Sequence, residues 1–224
     1  MTGAQNVSNS NRQILVATTN PGKVRELRAM LDFDVDFKSL ADFPAVAEVV
    51  EDGATFAENA RKKALGYAQA TGLWTLADDS GLVVDALDGA PGVNSARFSG
   101  ERAQGSDRKT VDRKNYEKLL SLMKDVPAEK RTARFMCCLC LASPREVLIE
   151  TQGSVEGVIT TEPVGEGGFG YDPVFFVPQL GKTVAQIGDD EKNSISHRGN
   201  AMRKLKPLLE KLLKSDRRLT SGRF

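Results

Sequence analysis

ILVATTNPGKVRELRAML (residues 14–31) decides the fold class of this chain. Its first five residues, ILVAT, form a short apolar run rich in β-branched side chains and read as a strand. Asn20-Pro21-Gly22 then breaks the run, and beyond it Val24, Leu27 and Leu31 recur at helical spacing. A strand, a loop and a helix in that order begin an α/β protein.

Working outward, a capping box at Thr55-Phe-Ala-Glu58 predicts a second helix that runs to about Thr71 and ends at Gly72. Residues 73–77 and 82–86 read as two strands flanking DDSG (residues 78–81), and residues 108–123 as a third helix. Residues 132–142, 147–155 and 174–177 are strand-like with no helix between them, which points to antiparallel pairing. A closing helix carries Ala201, Leu205, Leu208, Leu209 and Leu212 on one face, and Pro207 should kink it. Together these predict an α/β fold with a mixed sheet flanked by helices. Residues 1–13 and 215–224 are polar and read as disordered tails, leaving one domain over residues 14–214.

The chain has 224 residues, with 31 Lys and Arg against 30 Asp and Glu, for a formal net charge of +1. That balance argues against a protein that coats nucleic acid or lies on an anionic membrane, since both draw on a large positive field. The longest apolar run, FMCCLCLA (residues 135–142), falls far short of the roughly 20 residues of a spanning helix. The N-terminus lacks the basic and apolar regions of a secretory signal, so the expected location is cytoplasmic. Cys137, Cys138 and Cys140 suit neither a disulfide framework nor a zinc site and read as reduced, buried strand residues.

Five short stretches carry polar residues that this scaffold does not require: TTNPGK (residues 18–23), EDG (51–53), DDSG (78–81), GGFGYD (167–172) and SHRGNA (196–201), with Lys192 just before the last. Each is expected at the end of a strand or the start of a helix, where loops converge on a ligand. TTNPGK offers amides, a helix N-terminus and Lys23 to an anion, or is an ordinary turn. It is not a Walker loop, because Val24 follows Lys23 and cannot ligate magnesium. Asp78, Asp79 and Glu51 or Asp52 are hard oxygen donors of the kind magnesium takes, or else turn and cap residues. GEGGFG (residues 165–170) matches a dinucleotide pattern only by letter, because a strand and not a helix follows it. Its glycines present Phe169, either to stack on a planar base or to pack in the core. His197 and Arg198 open the last helix behind Ser196, as a cap or as readers of carbonyl and phosphate oxygens. A phosphate loop, metal carboxylates, a stacking ring and polar readers together describe a nucleotide polyphosphate site.

ILVATTNPGKVREL, TFAENARKKA, LADDSGLVVDALDGAPGVNSARFSG, GGFGYDPVFFVP and SHRGNAM resemble the signature blocks of the inosine triphosphate pyrophosphatase family, in its bacterial dITP/XTP form. The resemblance implies an elongated mixed sheet with two lobes around a cleft, and a homodimer. It also implies magnesium-dependent hydrolysis of dITP, ITP and XTP to the monophosphate plus pyrophosphate. By position, Thr18, Thr19, Asn20, Pro21, Gly22 and Lys23 match the family's triphosphate loop. Asp79 matches the catalytic base and metal ligand, with Glu51 a second metal carboxylate and Ser80 a substrate contact. Phe169, Gly170, Tyr171 and Asp172 match the segment that packs on the base, and Lys192, His197 and Arg198 the remaining nucleotide contacts. The competing readings are a nucleotide sensor without catalysis, an RNA-binding module, and a pyrophosphatase for other modified nucleotides.

Overall fold

The computed structural model describes residues 12–30, 35–101 and 108–221. Among these residues, seven strands form one sheet in the order β2-β1-β3-β4-β5-β6-β7. β1 (Gln13–Ala17), β2 (Asp36–Ser39) and β3 (Trp74–Val84) are parallel, whereas β4 (Thr132–Ala142), β5 (Val147–Ile159), β6 (Phe175–Val177) and β7 (Lys182–Thr183) continue the sheet antiparallel. The mixed sheet expected from the sequence is therefore present, with parallel pairing only where helices cross between strands.

The helices are α1 (Pro21–Met30), α2 (Phe56–Thr71), α3 (Arg108–Leu122), α4 (Asp189–Ile195) and α5 (His197–Ser221). Asn20 opens α1, its Oδ1 accepting from the Gly22 and Lys23 amides at 3.0 and 3.4 Å. Thr55 caps α2, accepting from Glu58 N at 3.2 Å, and Gly72 closes it in the left-handed conformation, as the sequence predicted. On one sheet face, Leu27 of α1 and Ala201, Met202, Leu205 and Leu209 of α5 cover Ile14, Val16, Leu76, Leu139 and Leu141. On the other, Ala60, Ala64 and Tyr67 of α2 cover Leu15, Ala17, Ala77 and Cys140. A third cluster, around Leu82, Val84, Leu119, Phe135 and Phe175, occupies the far end of the long strands. The three cysteines are free and buried in β4.

Four expectations change. DDSG does not separate two strands: β3 runs through it without a break, and Asp78, Asp79, Ser80 and Gly81 pair in register with Leu139, Cys138, Cys137 and Met136. Aspartates disfavour strands in general, and here ion pairs offset the cost. The chain is already in β1 at Gln13, inside the expected tail, while residues 1–11 lie outside the described residues. At the other end α5 continues to Ser221, so residues 215–221 are helical, and residues 222–224 are outside the description; Pro207 lies within this helix. Leu208 points away from the buried face and is exposed, at the edge of the stripe that Leu205, Leu209 and Leu212 continue.

Candidate active site

Strand pleating sends Asp78 and Ser80 to one face of the sheet and Asp79 to the other, so the acidic pair serves two different environments. On the Asp78 face an unbroken line of alternating charge runs through five elements. Lys23 Nζ stands 2.5 Å from Asp78 Oδ1, and Arg198 Nε 2.7 Å from Asp78 Oδ2. Arg198 Nη1 donates to Glu26 Oε2, Lys192 Nζ lies 2.9 Å from Glu26 Oε1, and the same Nζ lies 2.7 Å from Asp172 Oδ2. All but Lys23 are buried. Burial works to raise the pKa of Asp78, but Arg198 and Lys23 outweigh it and hold this carboxyl well below the ordinary range. Arg198 Nη2 also donates to Ser80 Oγ at 2.9 Å, and Ser80 Oγ in turn donates to Asp78 Oδ1.

Asp79 meets α2 instead. Lys63 Nζ donates to Glu51 Oε2 at 2.8 Å and to the Asp78 carbonyl at 2.8 Å, and stands 3.5 Å from Asp79 Oδ1. Asp79 Oδ2 is buried with no hydrogen-bond partner. Burial therefore dominates and raises the pKa of Asp79, with Lys63 opposing it. Burial disfavours the charge of Lys63, yet Asp79 and Glu51 raise its pKa above the ordinary lysine value. Asp52 sits outside this group, its Oδ1 on the exposed Lys62. Between the two acids of EDG the structure thus brings Glu51, not Asp52, to Asp79.

This donor set fits magnesium. Asp79 Oδ2 is an uncommitted hard oxygen, and Glu51 supplies a second across Lys63. Among the described residues no group of three or more His, Cys, Asp or Glu converges. A site of one or two carboxylates is what magnesium uses when substrate phosphates and water complete its shell.

The two loops close over the Lys23 side of the sheet. In TTNPGK, Thr18 Oγ1 accepts from Asn20 N at 3.2 Å, and Asn20 Oδ1 holds the Gly22 and Lys23 amides, so these amides are satisfied within the loop and are not the free donors expected. Thr19 is exposed and Pro21 is the first residue of α1. In GGFGYD, Asp172 Oδ2 accepts from Phe169 N at 2.8 Å, and the Phe169 ring lies under Lys192 Nζ, 4.5 Å from its centroid. That ring also rests on Gly22, where a Cβ would come within 2.7 Å of it, so only glycine permits the contact. Gly170 has a positive φ of 63°. Tyr171 turns inward, its hydroxyl donating to the Ser95 carbonyl at 2.9 Å, and anchors the loop from below instead of meeting the cleft.

His197 stacks on Phe135, with centroids 5.0 Å apart and planes 17° apart, and its Nδ1 has no partner. Burial lowers its pKa well below the ordinary histidine value and Arg198 adds to the effect, so the ring is neutral near pH 7. It lines a small pocket with Phe135, Asp172, Lys192 and Ser196. Ser196 Oγ caps α5 by accepting from Gly199 N at 3.0 Å, as its sequence predicted. Arg198, next to His197 in sequence, is 1% exposed, and its guanidinium is held by Asp78, Glu26 and Ser80.

Sequence reasoning missed Glu26 and Lys63, both central to these groups. The signal was helical register. Lys63 falls on the stripe of Ala60, Ala64 and Tyr67, and Glu26 beside the buried Leu27, where a charged residue has to be paired.

The model of the Ham1 family matches residues 14–208. A dITP/XTP pyrophosphatase of Desulforamulus reducens is 50% identical over 201 residues, covering 89% of this chain and 96% of that protein. A dITP/XTP pyrophosphatase of Geobacter sulfurreducens is 52% identical over 195 residues, covering 87% and 94%. The solved structure of a HAM1 protein from Coxiella burnetii superposes with a TM-score of 0.79 at 37% identity, covering 89% of this chain and 99% of that one. The matched span contains both faces of the Asp78-Asp79 pair and all the loops around it, and the chain belongs to the Ham1 family.

Proposed function

We propose that this protein hydrolyses the deaminated purine nucleotides dITP, ITP and XTP to the monophosphate and pyrophosphate, and so keeps them out of DNA and RNA. The observation that carries the reading is Asp79, whose buried Oδ2 has no partner and whose pKa burial raises, with Lys63 opposing. A nucleotide sensor without catalysis gains nothing from an unpaired buried carboxylate, which costs stability. Relatives at about half identity that carry the name dITP/XTP pyrophosphatase favour the same activity.

In this reading a water beside Asp79 attacks the α-phosphorus. Its proton passes to the Asp79 carboxylate, the bond to the α–β bridging oxygen breaks, and pyrophosphate leaves with that oxygen. Magnesium, when bound by Asp79 and Glu51, neutralises phosphate charge and acts as a Lewis acid. Lys63 fixes the spacing of those two carboxylates by contacting both. Lys23, held by Asp78 at the cleft side of α1, presents positive charge to the phosphates. Phe169 offers a face for the base, and the neutral His197 and Lys192 line the adjoining pocket for the 6-keto oxygen that hypoxanthine and xanthine share. Adenine carries an amino group there and leaves such donors unpaired, which supports rejection of ATP. Guanine keeps the 6-keto oxygen, so GTP has to be rejected at its 2-amino group. A homodimer working in the cytoplasm is part of the same proposal and rests on the family resemblance; among the described residues no helix is long and apolar enough to cross a membrane.

The test is to incubate the protein with dITP and magnesium and resolve the products. Pyrophosphate with dIMP is expected; inorganic phosphate with dIDP would overturn attack at the α-phosphorus. Running ITP, XTP, GTP, ATP and modified pyrimidine triphosphates side by side separates this substrate class from other modified nucleotides.

A further inference from the structure

The Phe169 loop is held by a residue outside all five stretches. Asp112 lies on α3, is 7% exposed, and accepts the Gly170 amide on Oδ2 at 2.9 Å. Its Oδ1 accepts from Arg108 Nε at 3.2 Å, one turn earlier on the same helix. One turn later, Asn115 Oδ1 accepts the Ser99 amide at 2.7 Å. The helix thus turns a polar buried edge towards two loops, beside Val111 and Leu119, which supply its apolar contact.

The grip on Phe169 is two-sided. Its own amide is taken by Asp172, and the amide that follows it is taken by Asp112. These bonds fix the two peptide units around the residue, and with them the direction in which its ring leaves the backbone. The ring lies against Gly22 at one side and near Lys192 at the other, so a small rotation of the loop separates it from both. Gly170 is in the left-handed region, a conformation the loop keeps when its amide has a buried acceptor waiting.

We propose that Asp112 is a positioning residue for base recognition: through the Gly170 amide it fixes the Phe169 platform, while the phosphate side of the site does not depend on it. The proposal rests on the pyrophosphatase reading above. Its content is a split between the two halves of the substrate. Losing the acceptor weakens binding of the base and leaves binding of the triphosphate as it was.

The experiment compares Asp112→Leu, which keeps the branched shape without an acceptor, with Asp112→Asn, which keeps an oxygen for the Gly170 amide. Inorganic tripolyphosphate serves as a competitive inhibitor that has phosphates and no base. The expected result for Asp112→Leu is a KM for ITP raised about tenfold, the scale of one lost stacking contact. Its kcat and its inhibition by tripolyphosphate should stay within about twofold of the unmodified enzyme. Asp112→Asn should restore KM to within about twofold. An unchanged KM in the leucine variant, a parallel weakening of tripolyphosphate, or an asparagine variant as impaired as the leucine one would each overturn the proposal. Amide exchange in the unmodified protein gives a reading that no folding defect can spoil. Strong protection of the Gly170 amide is expected, and exchange at the rate of an open loop overturns the contact. Failure of the unmodified protein to release pyrophosphate from ITP overturns the pyrophosphatase reading; an active enzyme whose leucine variant keeps its KM overturns only the role of Asp112.

Discussion

Arg198 Nε donates to Asp78 Oδ2 across 2.7 Å, joining two residues 120 apart in the sequence with both side chains closed to solvent. The bond fastens the start of α5 to the middle of β3. It also sets the order of charges that continues through Glu26 and Lys192 to Asp172, where the base loop ends.

Removing one member of a buried line of charges leaves its partners less compensated. Arg198→Met takes one of two cations from each of its acids: Glu26 keeps Lys192 and Asp78 keeps Lys23. The expected loss is about 3 kcal/mol, the lower end of the range for a broken buried pair, because those two lysines remain. Urea unfolding measures it, and a loss under about 1 kcal/mol would mean that the line of charges adds little to the fold. Activity should fall as well, since Lys23 and Lys192 are then held by a rearranged set of acids.

Asp79→Asn should separate chemistry from stability. With the general base gone, kcat is expected to fall about 10²–10⁴-fold. The native pKa of Asp79 lies above its unfolded value, so the proton it binds favours the native state below about pH 4, and that advantage disappears as pH rises through the raised native value. Near pH 7 the ionised carboxylate is therefore a burden on the fold. The asparagine variant should melt at or above the temperature of the unmodified protein at pH 7, with the difference shrinking in acid. A clearly lower melting temperature at pH 7 would contradict the account of Asp79 as a buried charge that Lys63 compensates only in part.

The front of the chain was legible as strand, loop and helix because apolar periodicity changes there from that of a strand to that of a helix within one stretch. The five polar stretches were legible because their residues lie where a scaffold has no use for them, and the fold brings members of all five to one region. DDSG misled because two aspartates before Ser-Gly read as a turn. What makes them a strand is Arg198 and Lys23 on one face and Lys63 on the other, partners fixed only by tertiary structure. Lys63, Glu26 and Asp112 share one difficulty. Each sits on a helix among exposed charged neighbours, and only its rotation about the helix axis, set by packing, turns it inward. Arg198 was legible as a site residue, but its hold on Asp78, Glu26 and Ser80 was not, because those partners are brought to it only by tertiary structure.

Lys63 should tune the base. Its charge stands beside Asp79 and opposes the rise that burial imposes on that carboxyl. Lys63→Gln removes the opposition, so the pKa of Asp79 should rise further. The acidic limb of the kcat/KM profile should then move to higher pH, with a lower plateau because Glu51 loses its tie to Asp79. A profile that keeps its acidic limb while the plateau falls would show that Asp79 does not set that limb.

Gly22 probes the contact between the two loops. A methyl group added there would stand 2.7 Å from two carbons of the Phe169 ring, closer than any carbon contact tolerates, so the ring has to swing aside. The ring is only partly buried and can move without opening the core, so Gly22→Ala should change unfolding stability by less than about 1 kcal/mol. Its effect should fall on the base. KM for ITP is expected to rise about tenfold with kcat little altered, as for loss of a stacking surface. The same substitution made on a Phe169→Ala background should add little, because the group it displaces is already gone. Additive losses in the double variant would mean that Gly22 acts on the triphosphate through α1, and that the ring over it is packing alone.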